Sequence, residues 1–72
     1  MAVVKVIEIL AQSPKGWEDA AQTGLNEVTK TVQDVQSIYV RDLQAIVENG
    51  RITQYRLNMK VSFIVRDQQR QK

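Results

Sequence analysis

The sequence predicts an α+β domain of β-α-β-β order, with a three-stranded antiparallel sheet wrapped around one helix. Three observations predict it. Asn49-Gly50 sits between two long apolar-patterned runs and marks a two-residue hairpin. In the second run, Thr53, Tyr55, Leu57, Met59, Val61, Phe63 and Val65 recur at every other position, the period of a strand with one buried face. Ahead of the hairpin, a β-branched stretch is followed by an apolar stripe at helical spacing.

Residues 3 to 10 (VVKVIEIL) form the first strand, because β-branched side chains fit a pleated surface. Ser13-Pro14 then predicts a helix start, with Ser13 as N-cap and Pro14 at the first helical position. Glu18 and Asp19 complement the positive end of the helix dipole. The apolar face runs through Trp17, Ala20, Ala21, Gly24, Val28, Thr31, Val32 and Val35. Its Ala and Gly residues let the helix axis approach a sheet closely, and Trp17 is expected to fill one end of the core. Truncating such a core residue costs ~3–5 kcal/mol.

The second strand is predicted from about Val35 to Glu48 and the third from Arg51 to about Arg66. A type I′ turn at Asn49-Gly50 needs positive φ at both positions, which these residues tolerate. An unbroken ladder from that turn pairs Tyr55 with Gln44, Leu57 with Asp42, Met59 with Val40 and Val61 with Ile38. That side is expected to meet the helix. The other side then pairs Ser37 with Ser62, Tyr39 with Lys60, Arg41 with Asn58 and Leu43 with Arg56.

The second strand is apolar on both faces: Ile38, Val40 and Ile46 on one, Tyr39, Leu43 and Val47 on the other. One helix covers one face, so further copies of the chain are expected to cover the rest. Size points the same way. A core from 72 residues supplies only ~3–5 kcal/mol, and small chains lean on disulfides, metals or oligomerisation. There is no cysteine and no histidine. That excludes disulfides and thiolate metal sites, and removes the commonest general base at neutral pH. An enzyme would have to work with carboxylates, Lys or Tyr alone, so no catalytic role is expected.

Net charge is +2, with basic residues scattered among acids, so no nucleic-acid footprint is expected. No apolar run approaches the ~20 residues that span a bilayer, and Met1-Ala2-Val3-Val4-Lys5 shows no secretory pattern. A cytoplasmic location is expected. Residues 3–66 read as a single domain and residues 67–72 as a polar tail that frays.

The chain resembles the dodecins. The likeness is carried by Lys5-Val6-Ile7-Glu8, Ser13-Pro14-Lys15-Gly16-Trp17-Glu18-Asp19-Ala20, Val47-Glu48-Asn49-Gly50 and Lys60-Val61-Ser62-Phe63, in that order and spacing. The resemblance implies a hollow homododecamer of cubic symmetry that binds and stores a flavin, such as riboflavin or FMN, without catalysis. Flavin-binding members stack paired rings between tryptophans of two-fold-related subunits, and a glutamine bonds the pyrimidine edge. Ser37 holds the tryptophan's place and Arg56, after Tyr55, the glutamine's, so the implied cofactor-binding positions Ser37 and Arg56 both depart from the pattern. Losing two stacking faces costs ~2–6 kcal/mol, or roughly 30-fold to 10,000-fold in affinity. Arg56 offsets part of this where its guanidinium stacks or meets a phosphate.

The alternative implied by the family is a flavin-free assembly with bound divalent ions, calcium or magnesium. Its metal ligands are open from sequence. Glu8, Asp42 and Glu48 are candidates if brought together around a symmetry axis, although their spacing forms no calcium loop. Tyr39 and Tyr55 read as strand or interface packing rather than as an aromatic ligand wall.

Overall fold

The computed structural model describes residues 3–65, and Arg66 with the 67–72 tail lies outside them. The elements are β1 (Val3–Ser13), α1 (Trp17–Val28), β2 (Val35–Glu48) and β3 (Arg51–Val65). They form one antiparallel sheet of order β1-β3-β2, so the β-α-β-β class expected from sequence is the one observed.

The β1–α1 junction differs from expectation. β1 continues to Ser13, which lies opposite Tyr55, and the helix starts at Trp17 with Gly16 as its N-cap. Ser13 is no helix cap. Its buried hydroxyl accepts from the Lys15 amide at 3.0 Å and donates to the Asp19 carboxylate, holding a tight link between strand and helix. A Ser-Pro pair serves such a turn as well as it serves an N-cap. The helix also stops earlier than its apolar stripe. A turn follows Val28, and the Val32 amide bonds the Val28 carbonyl at 2.9 Å, so Val32 still packs on the core from outside the helix.

α1 packs on β1 and β3. Ala20, Gly24 and Val28, one turn apart along one face, meet Ala11, Leu57, Met59 and Val61. Small residues set the separation. A methyl group at Gly24 would stand 3.0 Å from the Ala11 Cβ, 3.1 Å from Met59 Cε and 3.2 Å from Ile9 Cδ1.

The hairpin turn has positive φ at Asn49 (53°) and Gly50 (74°), as a type I′ turn requires. Its ladder is not continuous. Glu48 pairs with Arg51 and Val47 with Ile52, but a bulge then leaves Thr53 extra on β3, and Ile46 pairs with Gln54. A second bulge leaves Arg41 extra on β2 and restores the register at Val40–Met59. The expected pairs of Ile38, Val40, Ser37 and Tyr39 therefore stand. Those between the bulges are displaced by one residue: Leu43 faces Leu57, Gln44 faces Arg56, Ala45 faces Tyr55 and Asp42 faces Asn58. Leu43 thus shares the helix side with Leu57, and Asp42, Gln44 and Ile46 lie on the far side.

The subunit measures 58 × 19 × 13 Å, with a radius of gyration of 15.2 Å where a compact chain of this length has about 11 Å. The hairpin runs beyond both β1 and the helix. On the helix side Val40 is 40% exposed and Leu43 58%; on the far side Val4, Val6, Leu10 and Tyr39 are also exposed.

Candidate functional site

The far side of the sheet gathers the polar side chains. Alternation on β1 and β3 sends Gln12, Arg56 and Asn58 away from the helix, and the shifted register of β2 brings Asp42 and Gln44 beside them. Asp42, Gln44, Arg56 and Asn58, with Leu10 and Leu57, line a small pocket of about 170 Å³, and Gln12 lies beside it. Arg56 is held there: its Nε donates to Gln12 Oε1 at 3.0 Å. The guanidinium has further N–H groups to offer a ligand.

Asn58 Oδ1 is buried in this region without a hydrogen-bond partner, the one such side-chain atom among the described residues. Leaving a buried acceptor unmade costs ~1–3 kcal/mol. A ligand N–H or O–H would remove that cost. Chemically, the pocket pairs donors (Arg56) with acceptors (Asp42, Asn58) over an apolar floor.

Arg41, the bulged residue, reaches Glu8 Oε2 at 3.4 Å from Nη1 and Asp42 Oδ2 at 3.8 Å from Nε. Both contacts are solvated and each contributes little to stability. Two of the three carboxylates considered as ligands thus face the Arg41 guanidinium. Among the described residues no group of three or more Asp or Glu side chains is close enough to hold an ion.

Ser37 lies elsewhere on the same side. It faces Ser62, six positions along β3 from Arg56, and the two serine hydroxyls are hydrogen-bonded at 2.6 Å. Ser37 and Arg56 share a face but not a pocket. At Ser37 there is no flat surface for a ring to stack on; Tyr39, two positions along β2, is an exposed ring on that side. Tyr55 points the other way and meets Trp17 edge to face, with centroids 4.9 Å apart and planes at 73°. Trp17 is 36% exposed and its Nε1 donates to the Gln44 carbonyl at 3.3 Å. It therefore clasps the hairpin at the rim and does not fill the core as expected.

Sequence reasoning missed Gln12, Gln44 and Asn58 as companions of Arg56. The alternating polar residues Gln54, Arg56, Asn58 and Lys60 on β3 point to Asn58, whereas Gln12 and Gln44 come from other strands and carry no such signal.

A family model described as Dodecin matches residues 3–66. The chain belongs to the dodecin family. It is 37% identical over 70 residues to a calcium dodecin of Mycobacterium tuberculosis, spanning 96% of this chain and 97% of that relative. The dodecin fold is also found by superposition. A crystal structure of a calcium-chelating calcium dodecin from the same organism aligns with a TM-score of 0.79 and 33% identity, over 93% and 96% of the two chains. A dodecin from Streptomyces davaonensis aligns with a TM-score of 0.86 and 25% identity, over 90% and 96%. Among the described residues of this dodecin, no helix is long and apolar enough to cross a membrane.

Proposed function

We propose that this dodecin is a non-enzymatic subunit of a hollow homododecamer that binds and stores a small molecule. The observation that carries the reading is the surface left uncovered. An elongated subunit exposes Leu10, Leu43, Tyr39, Val47 and Ile52 at once, more apolar area than one helix can cover. Self-assembly is the economical way to bury it.

The ligand-binding region is the far-side pocket at Arg56, with Ser37 displaced along the sheet. The buried, unpartnered Asn58 oxygen supports a ligand that presents a hydrogen-bond donor. Flavin, by family likeness, has such a donor. Without a ring at Ser37 its hold is weak, because stacking supplies ~1–3 kcal/mol per face.

A second reading has a specific observation in its favour. The relative at 37% identity is a calcium dodecin. A calcium or magnesium ion here would draw ligands from several copies, since Arg41 occupies Glu8 and Asp42 within each one.

Light scattering coupled to size exclusion, with an absorbance scan across the peak, tests the assembly. A mass of one subunit at micromolar concentration overturns it. Titration of riboflavin or FMN with the purified shell separates the ligands: stoichiometric quenching of flavin fluorescence supports flavin storage. Unquenched flavin, together with calcium retained through dialysis, supports the ion-bearing shell.

A further inference from the structure

Two bulges bound the stretch of β2 that lines the pocket. Thr53 is extra on β3 at one end, and Arg41 is extra on β2 at the other. Outside them the rungs are those of an unbroken hairpin: Val47 faces Ile52 and Val40 faces Met59, as a two-residue turn dictates. Only residues 42–46 stand one residue off. An unbroken register for that stretch therefore needs no change at either end, because the two extra residues cancel.

That register is open to this chain. β2 is an edge strand bonded to β3 alone, whereas β3 is held by both β1 and α1. Shifting residues 42–46 breaks only their rungs to β3, and the replacement takes Arg41 and Thr53 into the ladder. Apolar burial does not choose between the two arrangements. Leu43 is 58% exposed, and apolar residues lie on both faces of the stretch, Leu43 and Ala45 on the helix side and Ile46 on the other. A strand patterned in this way specifies its register weakly.

The contacts that favour the bulged register are few and long. Thr53 Oγ1 donates to the Ile46 carbonyl at 3.3 Å, and Trp17 Nε1 to the Gln44 carbonyl at 3.3 Å. Arg41 meets Glu8 and Asp42 in solvated pairs. Against these stands the buried Asn58 Oδ1, which has no partner in the bulged register. The unbroken register sets Arg41 opposite Asn58, with several N–H groups to offer it.

We propose that residues 42–46 of β2 exchange between two registers on β3, the bulged one described above and an unbroken one, and that the exchange opens and closes the Arg56 pocket. In the bulged register Asp42 and Gln44 stand beside Asn58 and Arg56. In the unbroken one both turn to the helix side and Leu43 stands over Arg56. The polar wall becomes apolar. A ligand that uses the polar wall binds the bulged register better and draws the population to it. The exchange stands independently of any ligand; only its effect on binding rests on the pocket reading above.

The chain has no cysteine, so cross-strand disulfides report the register directly. Facing Cα atoms of an antiparallel pair stand ~4.5–5.5 Å apart, inside the roughly 4.4–6.8 Å that a disulfide spans. Gln44→Cys with Arg56→Cys face each other only in the bulged register. Leu43→Cys with Arg56→Cys do so only in the unbroken one, and Tyr39→Cys with Arg56→Cys in neither. The rate of intrachain closure in a glutathione buffer is followed by mass for each pair. The first pair should close fastest. The second should close ~10- to 1,000-fold more slowly, as for a minor state populated at ~0.1–10%, and still faster than the third. Deleting Arg41 and Thr53 from the second variant keeps the bulged register's rungs without its bulges, and should abolish that link. Closure of the second pair no faster than the third overturns the proposal, because such a link reports unfolding. So does closure that survives the double deletion, or failure of the first pair to close. In the unmodified protein, amides of residues 42–46 should exchange hydrogen faster than those of residues 37–40, and equal protection overturns the exchange. The mass of the assembly and the flavin titration read the functional proposal separately.

Discussion

Leu43 lies directly opposite Leu57, one residue away from where an unbroken ladder from Asn49-Gly50 would set it. The displacement starts at Thr53 and ends at Arg41, and the two extra residues cancel. Deleting Arg41 alone must turn either Ile38 and Val40 or Leu43 and Ala45 away from the helix side. These side chains are half-buried or exposed, so each one lost from its place costs less than the ~1.5–3 kcal/mol of a fully buried one, and the deletion should lower the thermal midpoint measurably. Deleting Arg41 and Thr53 together should recover most of the loss, as read by thermal unfolding of both variants. A double deletion less stable than the single one would contradict the cancellation.

Gly24 and Ala11 set how closely α1 approaches the sheet. Gly24→Ala gains ~1 kcal/mol of helix propensity but drives a methyl to 3.0 Å from the Ala11 Cβ. Overpacking of this kind costs ~1–3 kcal/mol, so a net loss is expected. Ala11→Gly in the same chain should restore part of it, giving a coupling above ~0.5 kcal/mol in a double-mutant cycle by urea unfolding.

Gly50 works through backbone alone. Its φ is +74°, and nothing lies within 4 Å of where a Cβ would be. Gly50→Ala should cost ~1–2 kcal/mol from the left-handed conformation, without any clash. Asn49→Gly should change the urea midpoint little, since glycine accepts the same turn.

Trp17 separates rim from core. Because it is over a third exposed, Trp17→Ala should cost about 1–3 kcal/mol, below the ~3–5 of a buried aromatic. Part of that should vanish in a Tyr55→Leu background, because edge-to-face ring pairs contribute ~0.5–1.5 kcal/mol. Full additivity of the two changes would show the ring contact to be without energetic weight.

Ser37→Trp with Arg56→Gln rebuilds the flavin pattern on this sheet. Two recovered stacking faces supply ~2–6 kcal/mol, so flavin affinity should rise roughly 30-fold to 10,000-fold over the parent protein. Fluorescence quenching reads this directly. An affinity within threefold of the parent would show that these positions do not govern the site.

Much of the architecture was legible because its signals are local. Asn49-Gly50 tolerates the φ values that a two-residue hairpin needs, and the alternation of β3 survives intact from Tyr55 to Phe63. The displaced stretch of β2 was not legible from the turn, since turn chemistry fixes only the first rungs of a ladder. A trace of it exists, however. The helix-side residues of β2 change from even (Ile38, Val40) to odd (Leu43, Ala45) across Arg41, and only an extra residue allows that. Ser13 misled because strand end, turn and helix cap all use the same hydroxyl chemistry. The companions of Arg56 were hidden for a related reason: Gln12 is brought to it by a pairing across 44 positions of sequence, and no spacing rule reaches that far.

The 58 Å reach of so short a chain has a consequence for the cell. In the proposed assembly, a newly made copy that meets no sister is the form that proteases and chaperones see, and its lifetime depends on how many sisters surround it. Accumulation should therefore rise more steeply than synthesis, with scarce copies cleared and abundant ones preserved.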